Sequence, residues 1–184
     1  MINKLLIAIL LSSFVVTVSA APIISAADAS LVGADVIDFE TETMGTYNSL
    51  SVGDVTFTAL DNHLRIDNTY QGYNQQGIYL DNGTYSNNGF WTLKIDFANG
   101  TDAFGFTWGM AETSSPWDLI AYDAGGNVIE NFLLPSTGPS NAGEFFGIDA
   151  GQTIAYATVG NTVAGYDWIA IDNVTYQNGP AVPE

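Results

Sequence analysis

"WTLKIDF", residues 91–97, decides how this chain is read. Successive side chains of an extended strand point to opposite faces, so Trp91, Leu93, Ile95 and Phe97 share one side and Thr92, Lys94 and Asp96 the other. A helix would scatter the same apolar positions around its axis. The stretch is expected to be a half-buried antiparallel strand.

The same period of two recurs outward from it. "DVTFTAL", "HLRID" and "GIYLD" precede it, and "DAFGFTWG", "WDLIAYD", "NVIENFL", "TIAYATV" and "YDWIAIDNVTY" follow, with "ADVIDFE" opening the series. This gives about ten strands rich in β-branched and aromatic residues. Asn82-Gly83, Asn88-Gly89 and Asn99-Gly100 are expected to form tight turns, and "AGGN" (residues 124–127) a hairpin connection. "LPSTGPSNA" (residues 134–142) has no period and two prolines, which marks a surface loop. The pattern predicts an all-β fold, an antiparallel β-sandwich of jelly-roll type, over residues 34–177. A linker at 21–33 precedes it and another at 178–184 follows.

The first residues carry a different signal. Lys4 gives a positive start, residues 5–18 are an uncharged apolar run, and Ser19, Ala20 and Ala21 are small. This pattern is that of a secretory signal peptide over residues 1–20, with cleavage after Ala20 or as late as Ala26. A retained anchor wants about 18 or more consecutive apolar residues, which Ser12, Ser13 and Thr17 interrupt. No membrane span is expected in the mature chain.

Charge then narrows the partners. The 184-residue chain has 20 acidic residues, three basic ones and a formal net charge of -17. Loss of Lys4 with the leader leaves Arg65 and Lys94 as the fixed positive charges. Such a field repels nucleic acid, anionic membranes and acidic polysaccharides. Neutral ligands and cations are favoured. There is no cysteine, so disulfides and thiol catalysis are excluded and stability rests on packing, with bound metal as a possible supplement.

The chain ends "QNGPAVPE", which suits neither helix nor sheet. Val182, Pro183 and Glu184 match three of the four positions of the Val-Pro-Glu-Pro motif that opens the sorting signal of PEP-CTERM proteins, and here the sequence resembles that family. The fourth proline, the apolar helix and the basic cluster of the family signal do not follow. "IDFE", "AFGF", "LIAYDAGGNVI", "GEFFGI" and "DWIAIDNVTY" look like β-sandwich ectodomains of the same group. The resemblance implies export by the general secretory route in a Gram-negative bacterium, an extracellular or outer-surface location, and association with exopolysaccharide or biofilm matrix. It implies no particular activity.

Glu40 closes the first strand of the domain and Asp172 lies in the last, where alternation puts it on the face of Trp168, Ala170 and Val174. A carboxylate there is costly without a cation or several donors. With so few Lys and Arg, calcium is the expected counter-charge. It takes six to eight oxygens, so backbone carbonyls and the loop after Glu40, including Glu42, would contribute. "FE" (residues 39–40) and "IDNV" (residues 171–174) look similar to jelly-roll carbohydrate-binding modules, in which these places share a structural calcium. The alternative is that Asp172 takes backbone N–H bonds at a bulge and Glu40 is solvated.

Phe104, Phe106 and Trp108 form a stripe that suits an inner sheet face. Trp108 and Trp117 also flank the polar loop "GMAETSSP" at strand ends, where binding surfaces are built, so these two are the candidate sugar-stacking residues for a neutral polysaccharide. Three other readings stand beside that one. A structural or adhesive matrix component needs no glycan site. A polysaccharide lyase would use His63 and Arg65, which share a face of "HLRID". A glycoside hydrolase would need convergence among Asp118, Glu130 and Glu144. The expectation is a non-catalytic binding protein.

Overall fold

The computed structural model describes residues 20–61, 63–68, 76–81, 89–111, 116–137, 143–163 and 169–179. The leader, the terminal Val-Pro-Glu, Trp168 and the Asn82-Gly83 turn lie outside them. Among the described residues are twelve strands: β1 (Ala21–Ile23), β2 (Asp35–Ile37), β3 (Gly45–Tyr47), β4 (Ser49–Val52), β5 (Val55–Ala59), β6 (His63–Asp67), β7 (Gly77–Asp81), β8 (Thr92–Gly109), β9 (Trp117–Tyr122), β10 (Val128–Leu134), β11 (Glu144–Asn161) and β12 (Ile169–Tyr176). One short 3-10 helix, Ala29–Leu31, lies between β1 and β2. Every strand pair is antiparallel.

β8 and β11, each 18 residues long, organise the rest. The first half of β8 pairs with β5 and with the second half of β11, which continues through β9 to β10; β4 extends β5. We call this layer the first sheet. The second half of β8 pairs with the first half of β11, flanked by β1, and with β12, which leads on to β7, β6 and β3; β2 runs beside the end of β12. This is the second sheet.

The bend that joins the layers is visible in ring distances. Phe97 and Phe104 are seven residues apart in one strand, which would separate them by about 23 Å if it ran straight. Their ring centroids are 5.0 Å apart. Gly100 sits between them with φ 70°, opposite a region of β11 that contains Gly151 with φ 60°. Such left-handed backbone is routine for glycine and strained for other residues. The pairing of β8 with β11 also shifts register between Asp149 and Ile154. Asn99-Gly100 is therefore not the hairpin turn expected from the sequence. It bends a continuous strand from one sheet into the other.

Both layers contribute to one core. Leu93, Ile95, Phe57, Leu119 and Val159 of the first sheet meet Phe104, Phe106, Ile78, Ile148 and Ile171 of the second. Phe39 packs edge-on to Phe57 with centroids 5.3 Å apart, and Trp108 edge-on to Trp117 at 5.7 Å. The alternation in "WTLKIDF" holds, with Leu93, Ile95 and Phe97 buried and Thr92, Lys94 and Asp96 half-buried on the other face. The architecture is an antiparallel β-sandwich of jelly-roll type, as the sequence pattern predicts.

The supposed linker at 21–33 is part of the sandwich. β1 pairs with β11, and Ile23 forms a second small core with Leu31 and Ala103. Asp28 caps the 3-10 turn by accepting from the Ser30 backbone N–H at 3.0 Å and the Ser30 hydroxyl at 2.8 Å. Gln177 holds the segment down by donating from Nε2 to the carbonyls of Ser30 and Val32, at 3.0 and 2.9 Å. Three-residue elements show no period, which is why the sequence reads as a linker there.

Candidate functional site

Every residue of a sandwich strand that does not face the core faces outward, so each sheet has a second face to account for. In the second sheet that face is lined near its middle by Ala103, Gly105 and Gly147, with Phe145 lying close above Gly105. The segment that carries Ile23 and Leu31 covers it.

The first sheet differs. Register places Ser51, Thr56, Asp96, Tyr156 and Tyr122 side by side across five strands, and Ser49, Thr58, Lys94, Thr158 and Ile120 in the row beside them. Asp118 follows in the next row, opposite Gly160. The two tyrosine rings are stacked, 4.6 Å between centroids and 11° between planes. Lys94 Nζ lies 4.4 Å from the centre of the Tyr156 ring and 2.6 Å from Asp96 Oδ1. Tyr122, Tyr156, Lys94, Asp96, Asp118 and Thr158 are all half-buried. Their partners along each strand, Leu119, Ala121, Ala157 and Val159, fill the core.

This face combines aromatic surface with hydroxyls, a carboxylate and an ammonium held in place before any ligand arrives. Aromatic rings can pack on apolar C–H faces, while the polar groups can exchange hydrogen bonds with hydroxyls. Stacking and the ion pair restrict the rings, which lowers the ordering cost of binding.

Trp108 and Trp117 are not part of it. They are 0% and 1% exposed, packed against each other in the core, and Trp108 Nε1 donates to the Pro135 carbonyl at 2.9 Å. Neither presents a ring face to a sugar. The expectation that they form the stacking platform is corrected here: both lie on the inner side of their strands, and position at a strand end did not expose them. Phe104 and Phe106 are core residues, as expected.

The carboxylate site is partly assembled. Asp172 is 1% exposed. Its Oδ1 accepts from the Asn173 backbone N–H at 2.7 Å and its Oδ2 from the Asn173 side-chain amide at 3.0 Å. Asn173 has φ 49°, and β12 shifts register against β8 between Asp172 and Thr175. This is the bulge of the alternative reading. Burial pushes the Asp172 carboxyl from 3.8 up to about 7, against the lowering effect of the Asn173 N–H, and the nearby charges of Glu40 and Asp38 push the same way as burial.

Glu40 is exposed and its Oε1 accepts from the Gln76 backbone N–H at 3.0 Å. Gln76 Nε2 donates to the carbonyls of Phe39 and Glu42, both at 2.6 Å. The loop 39–42 is thus drawn toward Asp172 through β7, where Gly77 lies against Asp172. Among the described residues no three acidic or histidine side chains form a cluster able to hold a metal ion. A cation here would need carbonyl oxygens beside Asp172 and Glu40. The donors are hard oxygens, which fits calcium in chemistry.

The three carboxylates of the hydrolase reading are dispersed, whereas His63 and Arg65 share a face of β6 with Tyr79 opposite Arg65. His63 is exposed, its Nδ1 2.7 Å from Asn48 Oδ1, and Arg65 is ion-paired with Asp67. Asp118 lies on the outer face of the first sheet, Glu130 lies opposite core-facing Ala121 on β10, and Glu144 begins β11 beside Trp108 in the second sheet.

No protein-family model matches the chain, and no curated protein sequence does. Among solved structures it is similar to a family 29 carbohydrate-binding module from Piromyces equi, with 14% identity over 88% of this chain and 93% of that one and a TM-score of 0.50. A family 11 carbohydrate-binding module of a cellulosomal cellulase from Clostridium thermocellum aligns with 12% identity over 80% and 95% of the two chains, at a TM-score of 0.46. The fold is thus one shared with the Piromyces module.

Proposed function

We propose that the protein is an exported, non-catalytic binding module for neutral carbohydrate, working at the surface or in the polysaccharide matrix of a Gram-negative cell. The observation that carries this reading is the open outer face of the first sheet, where the stacked Tyr122 and Tyr156 stand among Lys94, Asp96, Asp118 and Thr158. The shared fold supports it. The excess of acids on the chain disfavours uronate-bearing polymers, which it would repel.

Export rests on the charged start and apolar run of the first 20 residues. In this reading Asp172 and Glu40, with carbonyls of the 39–42 loop, hold one structural calcium that braces β2, β7 and β12. The ion would supply a counter-charge to the buried Asp172 carboxylate.

The test is titration of the purified protein with neutral oligosaccharides, cello-, xylo-, manno- and galacto-oligosaccharides in parallel, by calorimetry. At least one should bind. Tyr122→Ala and Tyr156→Ala should each weaken that binding ten-fold or more while leaving the fold intact by circular dichroism. Wild-type affinity in both variants would remove the ligand face proposed here. No binding to any neutral glycan would favour a structural or adhesive matrix role instead.

A further inference from the structure

The sequence leaves two places for leader removal, after Ala20 and after Ala26, each ending on a small residue. A peptidase acting on the unfolded chain can meet either, and the fold separates them by what each leaves behind.

Residues 21–26 are structural. Ala21, Pro22 and Ile23 pair with Asp149, Ile148 and Gly147 of β11, closing that edge of the second sheet. Ile23 is 1% exposed and is one of three buried residues in the small core on the outer face of that sheet. The remainder of the segment, from the Asp28 cap to Val32, is tied down by Gln177. A cut after Ala26 would strip the edge of β11, empty the Ile23 position and leave Leu31 packing over a gap beside Ala103. A cut after Ala20 removes none of these contacts.

We propose that the leader is removed by hydrolysis of the Ala20–Ala21 bond, so that the mature protein begins at Ala21 with β1 intact. This rests on the export reading above. Water adds across the peptide bond, the hydroxyl going to the Ala20 carbonyl carbon and the proton to the Ala21 nitrogen. The new α-ammonium then arises on the residue directly opposite Asp149, giving an acidic chain a positive charge beside a carboxylate. β1 is therefore the point where the export signal ends and the fold begins.

The full chain should be expressed in a Gram-negative host and recovered from the periplasm, with its intact mass and amino-terminal sequence read. A start at Ala21 is expected. A start at Ala27 overturns the inference while upholding export. Retention of Met1 in every fraction overturns the export reading and this inference with it. The same exported chain carrying Ile23→Asp should melt several degrees lower than wild type. An unchanged midpoint would show that β1 carries no structural weight, and would overturn the ground on which the two cuts were separated.

Discussion

The two sheets of this sandwich bury their inner faces in the same core and treat their outer faces in opposite ways. Near the middle of the second sheet the outer positions are small, Ala103, Gly105 and Gly147, and Phe145 and the chain's own amino-terminal segment pack there, while Asp172, Tyr79 and Arg65 lie further along the same face. A Cβ on Gly147 would run into the Phe104 carbonyl and the Gly105 backbone, so this sheet has no room there even for alanine. On the first sheet the outer positions carry rings, hydroxyls and charges, and the stacked tyrosine pair is half-buried among them. One face has been closed by the chain itself and the other is furnished for something else. Aromatic content alone does not separate them, since the largest fully buried rings, Trp108 and Trp117, belong to neither.

The strongest way to break this comparison is to damage the core and ask whether the open face notices. Trp108→Ala removes a fully buried ring in edge contact with Phe106 and Trp117. The loss is expected to be about 3–5 kcal/mol, read from denaturant unfolding. Glycan affinity of the molecules that remain folded should match wild type. A selective loss of affinity with unchanged stability would return Trp108 to the ligand site.

A smaller and reversible perturbation acts at Asp172, between the 39–42 loop and β12. Its carboxyl is raised in the folded state, so the folded protein holds a proton that the unfolded chain releases. In the absence of a cation, the stability tied to this group is fully present below about pH 3.8 and is lost as pH rises to about 7. Thermal midpoints in EDTA should fall over that window, after the common acid-titration background is removed by comparison with Asp172→Asn. Millimolar calcium should raise the wild-type midpoint at pH 7.5, because a ligand bound only by the folded state stabilises it. It should leave the Asn variant almost unmoved. A wild-type midpoint that ignores calcium would sink the ion and leave the bulge alone to accommodate the carboxylate.

Much of this architecture could be read from the chain because period-two alternation reports the environment of each strand directly. "WTLKIDF" announces its inner face, and the same rule finds β5, β6, β9 and β10. What fails is information that lies between strands. Asn99-Gly100 signals a left-handed backbone, but whether that reverses a strand or bends it depends on β11 pairing along both halves of β8. The tyrosine pair was hidden for the same reason. Tyr122 and Tyr156 each occupy a polar-face position in a clear strand, and a search for aromatics on outward positions would have found both. Their stacking needs β9 beside β11, with β10 intervening in the chain. The place of Trp108 and Trp117 at strand ends does not expose them, since a side chain at an end still obeys the parity of its strand.

The finest distinction concerns Lys94, which sits on the open face between an acid and a ring. Its side chain and that of Asp96 are 31% and 38% exposed, and ion pairs this wet contribute at most about 1 kcal/mol. The cation–π contact with Tyr156 adds about 0.5–1 kcal/mol at such a site. Lys94→Met keeps an unbranched apolar side chain and deletes the charge beside Tyr156, so the unfolding midpoint should shift by little. If Lys94 serves to hold Tyr156 upright for a neutral ligand, glycan affinity should fall only a few-fold and should depend weakly on salt in both proteins. A steep salt dependence abolished by the substitution would mean that the ammonium reads an anionic group on the ligand. That outcome would keep the open face as the binding surface and replace its neutral glycan with an acidic one.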